Sequence, residues 1–390
     1  MKSVKTLCLA AAFAAPIAVS AAVTLTIDDV QQRWPWNNKV DITYTITGTI
    51  AENRIGKVML TSVIDGTPYL AYDGSPNVNT APGTYTVTWE NPPAGVKRDN
   101  CQMTAAFYSL PVRAGDDYMI VDLATGAVTY EGVFTADDKL GNVSGQELSN
   151  ARYNIDKYKS THLVLRKVPK GTYKTGDGGT KEWTTDKDYY IGVFPWTSYQ
   201  YWQVLGFDPT TDAGRMRLDA RHSLGFVRDI RGDADPTVTP PPAMINNQWY
   251  IIRWLNGRTG MNFDLPTELM HEIATRAGTT TPYYWGTDGN LASQYAVFGV
   301  AAGQTVGTKL PNAWGLYDTV GNDWEWCLDV LDGEGAIDVF TPATGAHVNR
   351  IVRGQDALTQ GTNLKSSARS SASSTSATYS FRIAYIVPNN

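Results

Sequence analysis

Sulfur ligands are scarce in this chain. Only three cysteines occur in 390 residues, at positions 8, 101 and 327, so a disulfide framework cannot organise the fold. Cys8 belongs to an N-terminal apolar run, which leaves Cys101 and Cys327 as two buried thiols or as one bridge. Histidine is nearly as sparse. His162, His222, His271 and His347 are scattered, and His271-Glu272 lacks the second His of a zinc-binding helix. A basic excess is missing too: the formal net charge is −5, which excludes a nucleic-acid surface. No apolar stretch is long enough to span a bilayer comfortably. There is no Gly-x-Ser-x-Gly elbow. Gly171 and Gly176 stand at the spacing of a phosphate-binding loop, but Asp177-Gly178 replaces the Lys and Ser/Thr that would touch phosphate and Mg²⁺. Nucleotide chemistry fails on those two positions.

What is present describes a globular, β-rich chain. Hydrophobic residues make up 42% and charged ones 18%, with 35 Gly, 21 Tyr and 12 Trp, and the length predicts two domains. Residues 1–21 read as a signal peptide: Lys2 and Lys5 precede an apolar run of small residues that ends on Val19-Ser20-Ala21. A secreted, periplasmic or cell-surface protein is therefore expected. Residues 22–115 alternate with period two, as in Val40, Ile42, Tyr44 and Ile46, between turn signals such as Pro82-Gly83. That pattern predicts an immunoglobulin-like β-sandwich. Trp34 and Trp36 are expected to cap it. Residues 116–161 read as a hairpin around Ala124-Thr125-Gly126 followed by a polar linker, and 162–390 as the second domain. Helices are expected over 197–205, with Trp202 and Leu205 on one side, over 244–255 and over 264–278.

The chemistry concentrates in residues 311–327. Those seventeen positions hold Trp314, Trp324 and Trp326, one Tyr, two Gly and the carboxylates of Asp318, Asp323 and Glu325. A carboxylate between two Trp must be paired, protonated or metal-bound if it is buried. A second acidic group, Asp329, Asp332, Glu334 and Asp338, reads as a solvated turn.

The stretch Asn312-Ala313-Trp314-Gly315-Leu316-Tyr317-Asp318, continuing through Gly321-Asn322-Asp323-Trp324-Glu325-Trp326, resembles the signature of the sulfatase-modifying factor family, which includes formylglycine-generating enzymes. Further motifs follow the family's order across 163–384: Pro169 to Tyr173, Tyr189-Tyr190-Ile191-Gly192, Leu265-Pro266-Thr267-Glu268, Arg350 to Gly354 and Ser380-Phe381-Arg382. The resemblance implies a fold mainly β with some α, the sandwich being followed by an α+β domain of C-type lectin-like type. It also implies a structural Ca²⁺ held by the carboxylates of Asp318 and Glu325 and the backbone oxygens of Gly321 and Asp323. The alternative is that Asp318 and Glu325 pair with Arg or with backbone N–H groups. Active family members hold copper with two cysteines in a loop that corresponds here to residues 355–369. This loop contains no Cys, His or Met, so copper is not expected. A retained pocket would be rimmed by Trp324, Asp356 and Arg369. The expected function is a non-catalytic binding or structural protein with an unidentified protein, peptide or glycan ligand. Two alternatives stand beside it: a formylglycine-generating oxidase acting on a cysteine of a sulfatase-type protein, and a retroelement-diversified variable protein, since Ser, Thr, Ala and Tyr dominate residues 366–379.

Overall fold

The computed structural model describes residues 23–33, 39–48, 54–72, 82–93, 101–138, 144–205, 244–245, 248–249, 251–300, 304–331, 338–342, 349–358, 363–373 and 379–389. The signal-peptide reading, Trp34, Trp36, His222 and His347 lie outside these residues. The chain divides into two compact units, residues 1–113 with 133–152, and residues 114–132 with 153–390.

In the first unit, strands β1 (Thr24–Gln32), β2 (Val40–Thr47) and β5 (Gly83–Trp89) form one antiparallel sheet, with β2 in the middle. β4 (Thr67–Tyr72), β3 (Arg54–Ile64) and β6 (Cys101–Pro111) form the other, in that order. The period-two pattern decides which faces meet. Val40, Ile42, Tyr44 and Ile46 point into a core shared with Val58, Leu60, Ile64 and Met103 of the second sheet. The turn between β3 and β4 has positive φ at both Asp65 and Gly66, as a two-residue hairpin of matching twist requires. The polar segment expected to be a linker instead carries helix α1 (Gly145–Tyr153). Ser144 and Glu147 cap it reciprocally, Ser144 N donating to Glu147 Oε2 at 2.8 Å and Glu147 N to Ser144 Oγ at 3.3 Å. A Cβ on Gly145 would lie 1.9 Å from the Thr135 carbonyl oxygen, so only glycine fits that approach.

The second unit is built on a six-stranded antiparallel sheet. The expected hairpin forms as β7 (Tyr118–Asp122) and β8 (Val128–Glu131), with β9 (His162–Val168), β12 (Tyr189–Gly192), β15 (Phe263–Asp264) and β19 (Ala384–Ile386) completing the set. The order across the sheet is β15-β19-β12-β9-β7-β8. Three further sheets stand apart from it: the hairpin β10 (Gly171–Thr175) with β11 (Lys181–Thr185), the two-residue pair β13 (Met244–Ile245) with β14 (Gln248–Trp249), and β16 (Glu325–Val330), β17 (Asn349–Arg353) and β18 (Arg369–Ser373). The helices are α2 (Lys157–Ser160), α3 (Ser198–Leu205), α4 (Ile251–Thr259), α5 (Glu268–Arg276) and α6 (Ala292–Tyr295).

Two expectations shift here. The helix expected from Met244 starts at Ile251 instead, because Met244 pairs with Trp249 across a hairpin. Ile245, Trp249 and Ile252 satisfy the helical spacing, but Asn-Asn between Ile245 and Gln248 is a turn signal in the sequence, and the strand pairing of Ile245 with Gln248 prevails over the helix. On α3 the fully buried aromatic and aliphatic side chains are Tyr201 and Val204, while Trp202 and Leu205 are half-buried. The core between the large sheet and α3 and α4 is aromatic: Tyr190, Trp196, Tyr201, Phe263, Trp326 and Phe381 are all buried in it. Trp196 stacks on Phe381 at 5.8 Å and 15°, one of the offset geometries that aromatic pairs favour.

Candidate functional site: an ion-paired turn and a charged cleft

Residues 311–327 form a sequence of tight turns nailed to α5 and to the chain's end. Asn312 is its first clasp. The Asn312 Oδ1 accepts from Trp314 N and Leu316 N, and its Nδ2 donates to the Ala274 and Thr275 carbonyls at 2.8 and 3.0 Å. It thereby satisfies carbonyls of the last turn of α5, which lack partners within the helix. Asn322 is the second clasp, exchanging hydrogen bonds with the Gln304 backbone at 2.6 and 3.1 Å. Asp318, Gly321 and Asn322 all have positive φ. At Gly321 a Cβ would meet the Val297 carbonyl oxygen at 2.5 Å.

Glu325, wholly buried, sits at the centre. Arg382 donates to it through Nε at 2.5 Å and Nη2 at 2.6 Å. The same guanidinium reaches the Gly192, Tyr317 and Asp318 carbonyls at 2.8, 3.2 and 3.2 Å. His271 Nε2 lies 3.2 Å from Glu325 Oε2, and Thr275 Oγ1 lies 3.3 Å from His271 Nδ1. Burial alone would raise the Glu325 pKa, but the Arg382 charge and hydrogen bonds and then His271 bring it down to about 2. Burial lowers the His271 pKa against the pull of Glu325. A neutral imidazole donating from Nε2 satisfies both ring nitrogens. Asp318 behaves in the opposite sense. Burial pushes its carboxyl up to about 6, against the Gly307 N–H and Arg382. Its Oδ2 accepts from Gly307 N at 2.7 Å, and its Oδ1 accepts no hydrogen bond from a described residue.

These contacts bear directly on the calcium set. Asp318, Gly321, Asp323 and Glu325 do lie along one buried turn, but the cation against Glu325 is the Arg382 guanidinium. Both Glu325 oxygens and the Asp318 carbonyl accept from it, and the Gly321 carbonyl accepts from Asp323 N at 2.8 Å. As arranged, the four residues do not fit a Ca²⁺ ion, which needs six to eight oxygens free to face it. Among the described residues no group of three or more His, Cys, Asp and Glu side chains is arranged to hold a metal. The arginine alternative accounts for Glu325, and a backbone N–H for Asp318. Cys327, on β16, is fully buried, and burial first of all drives its thiol pKa well above the ordinary value. It is an inert core thiol.

A cleft of about 510 Å³ lies beside α5. Glu268 and Glu272, one turn apart on α5, form its floor. Arg353 of β17 links them, Nη2 to Glu268 Oε2 at 2.9 Å and Nη1 to Glu272 Oε2 at 3.0 Å. Arg369 of β18 clamps Glu268 with Nε and Nη2, each at 2.9 Å. Glu272 Oε1 also accepts from Gly176 N at 2.7 Å and Arg276 Nε at 2.9 Å. Lys181, Lys365 and Arg369 stand at the rim, with Trp183 on the wall.

Of the three residues expected to rim a pocket, only Arg369 lines this cleft. Trp324 is half-buried against the aromatic core, and Asp356 holds its own turn, Oδ1 accepting from Leu358 N at 3.1 Å. Asp329 departs from the solvated turn expected of it. Fully buried on β16, it accepts from Glu268 N at 2.6 Å at the start of α5, where the helix dipole favours an anion. Asp338 does hold an exposed turn, while Asp332 and Glu334 lie outside the described residues. The sequence reading missed Glu268, Glu272 and Arg353 as a unit. The only signal was their position inside the two motifs beginning at Leu265 and Arg350, since residues so far apart in sequence give no local cue.

Short sheets, few helices and long loops held by aromatic clusters, with Glu325 and Arg382 tying the central turn to the C-terminal strand, make the second unit a C-type lectin-like α+β domain. The chain belongs to the sulfatase-modifying factor family: the model of the Sulfatase-modifying factor enzyme 1-like domain matches residues 167–386. Among solved structures it is similar to PvdO from Pseudomonas aeruginosa, with 22% identity, a TM-score of 0.43, and coverage of 57% of this chain and 94% of that one. It is also similar to Treponema denticola variable protein 1, with 19% identity, a TM-score of 0.40, and coverage of 57% and 95%. No curated protein sequence matches the chain significantly. Among the described residues no helix is long and apolar enough to cross a membrane.

Proposed function

We propose that this is a secreted, periplasmic or cell-surface binding protein in which the family scaffold serves recognition and not thiol oxidation. One observation carries the reading: Cys327 is the single cysteine in residues 162–390, and it is sealed in the core with its proton held on. Copper(I) capture by a thiolate pair needs two accessible sulfurs, and the 355–369 loop offers none. The N-terminal sandwich then serves as a spacer or adhesion module of immunoglobulin-like type. The reading is tested by incubating the protein with a Cys-x-Pro-x-Arg peptide, copper, oxygen and a thiol reductant. No aldehyde product is expected by mass spectrometry. Aldehyde formation that disappears in Cys327→Ser would establish the oxidase instead.

The retroelement-diversified reading keeps one supporting observation. Ser367 and Arg369 belong to the small, polar 366–379 segment, and both line the cleft, where residue changes would alter a ligand surface. Sequencing the surrounding genome for a near-copy of the 3′ coding segment that differs only at adenines decides it.

A further inference from the structure

We propose that the cleft beside α5 binds a carboxylate-bearing ligand, with Arg369, Lys365 and Lys181 as its contacts. This deepens the binding role proposed above and rests on it. Every carboxylate oxygen on the floor is already used: Glu268 Oε1 accepts from Arg369, Glu268 Oε2 from Arg353 and Arg369, Glu272 Oε1 from Gly176 N and Arg276, and Glu272 Oε2 from Arg353. A cationic ligand would find no unmatched anion there and would face Arg353 directly.

The rim has the opposite excess. Arg369 is 47% exposed and commits only Nε and one hydrogen of Nη2 to Glu268, so three of its five N–H donors remain. Lys365 is 46% exposed, and its one ion pair among the described residues is a 3.8 Å contact with Asp177, itself 73% exposed. Water screens such a pair almost completely. Lys181 is exposed and makes no ion pair among the described residues. The cleft lining holds four cations, Lys181, Arg353, Lys365 and Arg369, against Asp177, Glu268 and Glu272, so its unmet demand is for acceptors. A guanidinium matches a planar carboxylate with two parallel hydrogen bonds. Glu268 already displays that pairing in this chain, and an incoming carboxylate would take the donors that Glu268 leaves over. Trp183 and Leu269 in the lining supply apolar surface beside the charge, as ligand sites commonly do.

The test titrates the full-length protein by calorimetry at low salt with hexaglutamate, citrate and sodium sulfate. Saturable, salt-sensitive binding of hexaglutamate or citrate is expected. Binding of hexaglutamate alone would identify an acidic peptide as the source, and binding of citrate a free organic acid. Lys365→Glu should weaken binding about two- to fivefold, and Arg369→Ala about tenfold. Asp177→Asn, which removes a competing anion at an exposed site, should tighten it about twofold. That gain cannot be mistaken for misfolding. Binding of neither carboxylate would overturn the proposal, as would affinities unchanged in Lys365→Glu and Arg369→Ala. Sulfate binding as tightly as citrate would overturn the carboxylate assignment. The aldehyde assay does not involve this cleft, so failure here leaves the non-catalytic reading standing, and aldehyde formation would refute that reading whatever the cleft binds.

Discussion

Asp318 and Glu325 are buried on one turn, yet they spend their charges in opposite ways. The raised pKa of Asp318, about 6 against 3.8, means that the folded chain holds this proton more tightly than the unfolded chain. Its contribution therefore falls as pH rises from about 4 through 6, and at neutral pH its ionised form costs stability. Asn at this position keeps the acceptor for Gly307 N, tolerates the positive φ of 52° and removes the charge. Asp318→Asn should stabilise the protein by about 2–3 kcal/mol at pH 7 and by nothing below about pH 4, as measured by denaturant titration at both pH values. If calcium occupied this turn, the same substitution would destabilise it, and added Ca²⁺ would raise the wild-type melting temperature. Neither is expected.

Glu325 has the depressed pKa, about 2 against 4.5, so its stabilisation is fully present above pH 4.5 and is lost as pH falls towards 2. Glu325→Gln leaves the Arg382 guanidinium buried without its counter-charge. It should cost about 3–5 kcal/mol at pH 7 and flatten the acid limb of the stability curve between pH 4.5 and 2. A loss below 1 kcal/mol would show that the pair is not what closes the turn. The sequence made Glu325 legible as a charge in need of a partner, because it lies between two Trp. It did not name Arg382, which is 57 residues away in the chain and becomes its neighbour only through sheet pairing.

At the scale of elements, α5 concentrates what holds the second unit in place. Thr267 caps its start, Oγ1 accepting from Met270 N at 3.1 Å and donating to the Val339 carbonyl at 2.5 Å. Asp329 takes the Glu268 N–H, and Asn312 takes carbonyls at the far end. All nine helical residues are buried, so the helix is defined by what surrounds it more than by its own propensity. Thr267→Ala should cost about 1–2 kcal/mol, read from the shift in urea midpoint at unchanged slope. The helix itself was legible from Leu265-Pro266-Thr267-Glu268 and the later Gly278. Its polar partners were not, since Asp329 in an acidic run looks like a surface residue until β16 carries it inside. The two-residue strands at Met244 and Gln248 were hidden for a related reason. Their apolar spacing suits a helix as well as a hairpin, and only turn chemistry separates the two.

For the whole molecule, the alternating pattern was enough to give a β-sandwich and the family resemblance a mixed second domain, but neither located where the chain passes from one unit to the other. The hairpin of β7 and β8 reads locally as an isolated element. In the fold, β7 pairs with β9 over five residues, from Tyr118 with Arg166 to Asp122 with His162, and Met119, Val121 and Leu123 enter the same core as Leu163 and Trp326. A fragment of residues 162–390 would therefore expose the hydrogen-bonding edge of β9 and remove at least the buried Tyr118, Met119, Ile120, Val121 and Leu123. Unpaired apolar edges of this kind template aggregation, and each lost core side chain costs about 2–5 kcal/mol. That fragment is expected to elute as aggregate in gel filtration and to show no cooperative melt. A fragment of residues 114–390, which restores β7 and β8, is expected to elute as a discrete species and to melt in a single transition. Equal melting temperatures for the two would mean that the hairpin belongs to neither core, and the boundary would then lie at His162.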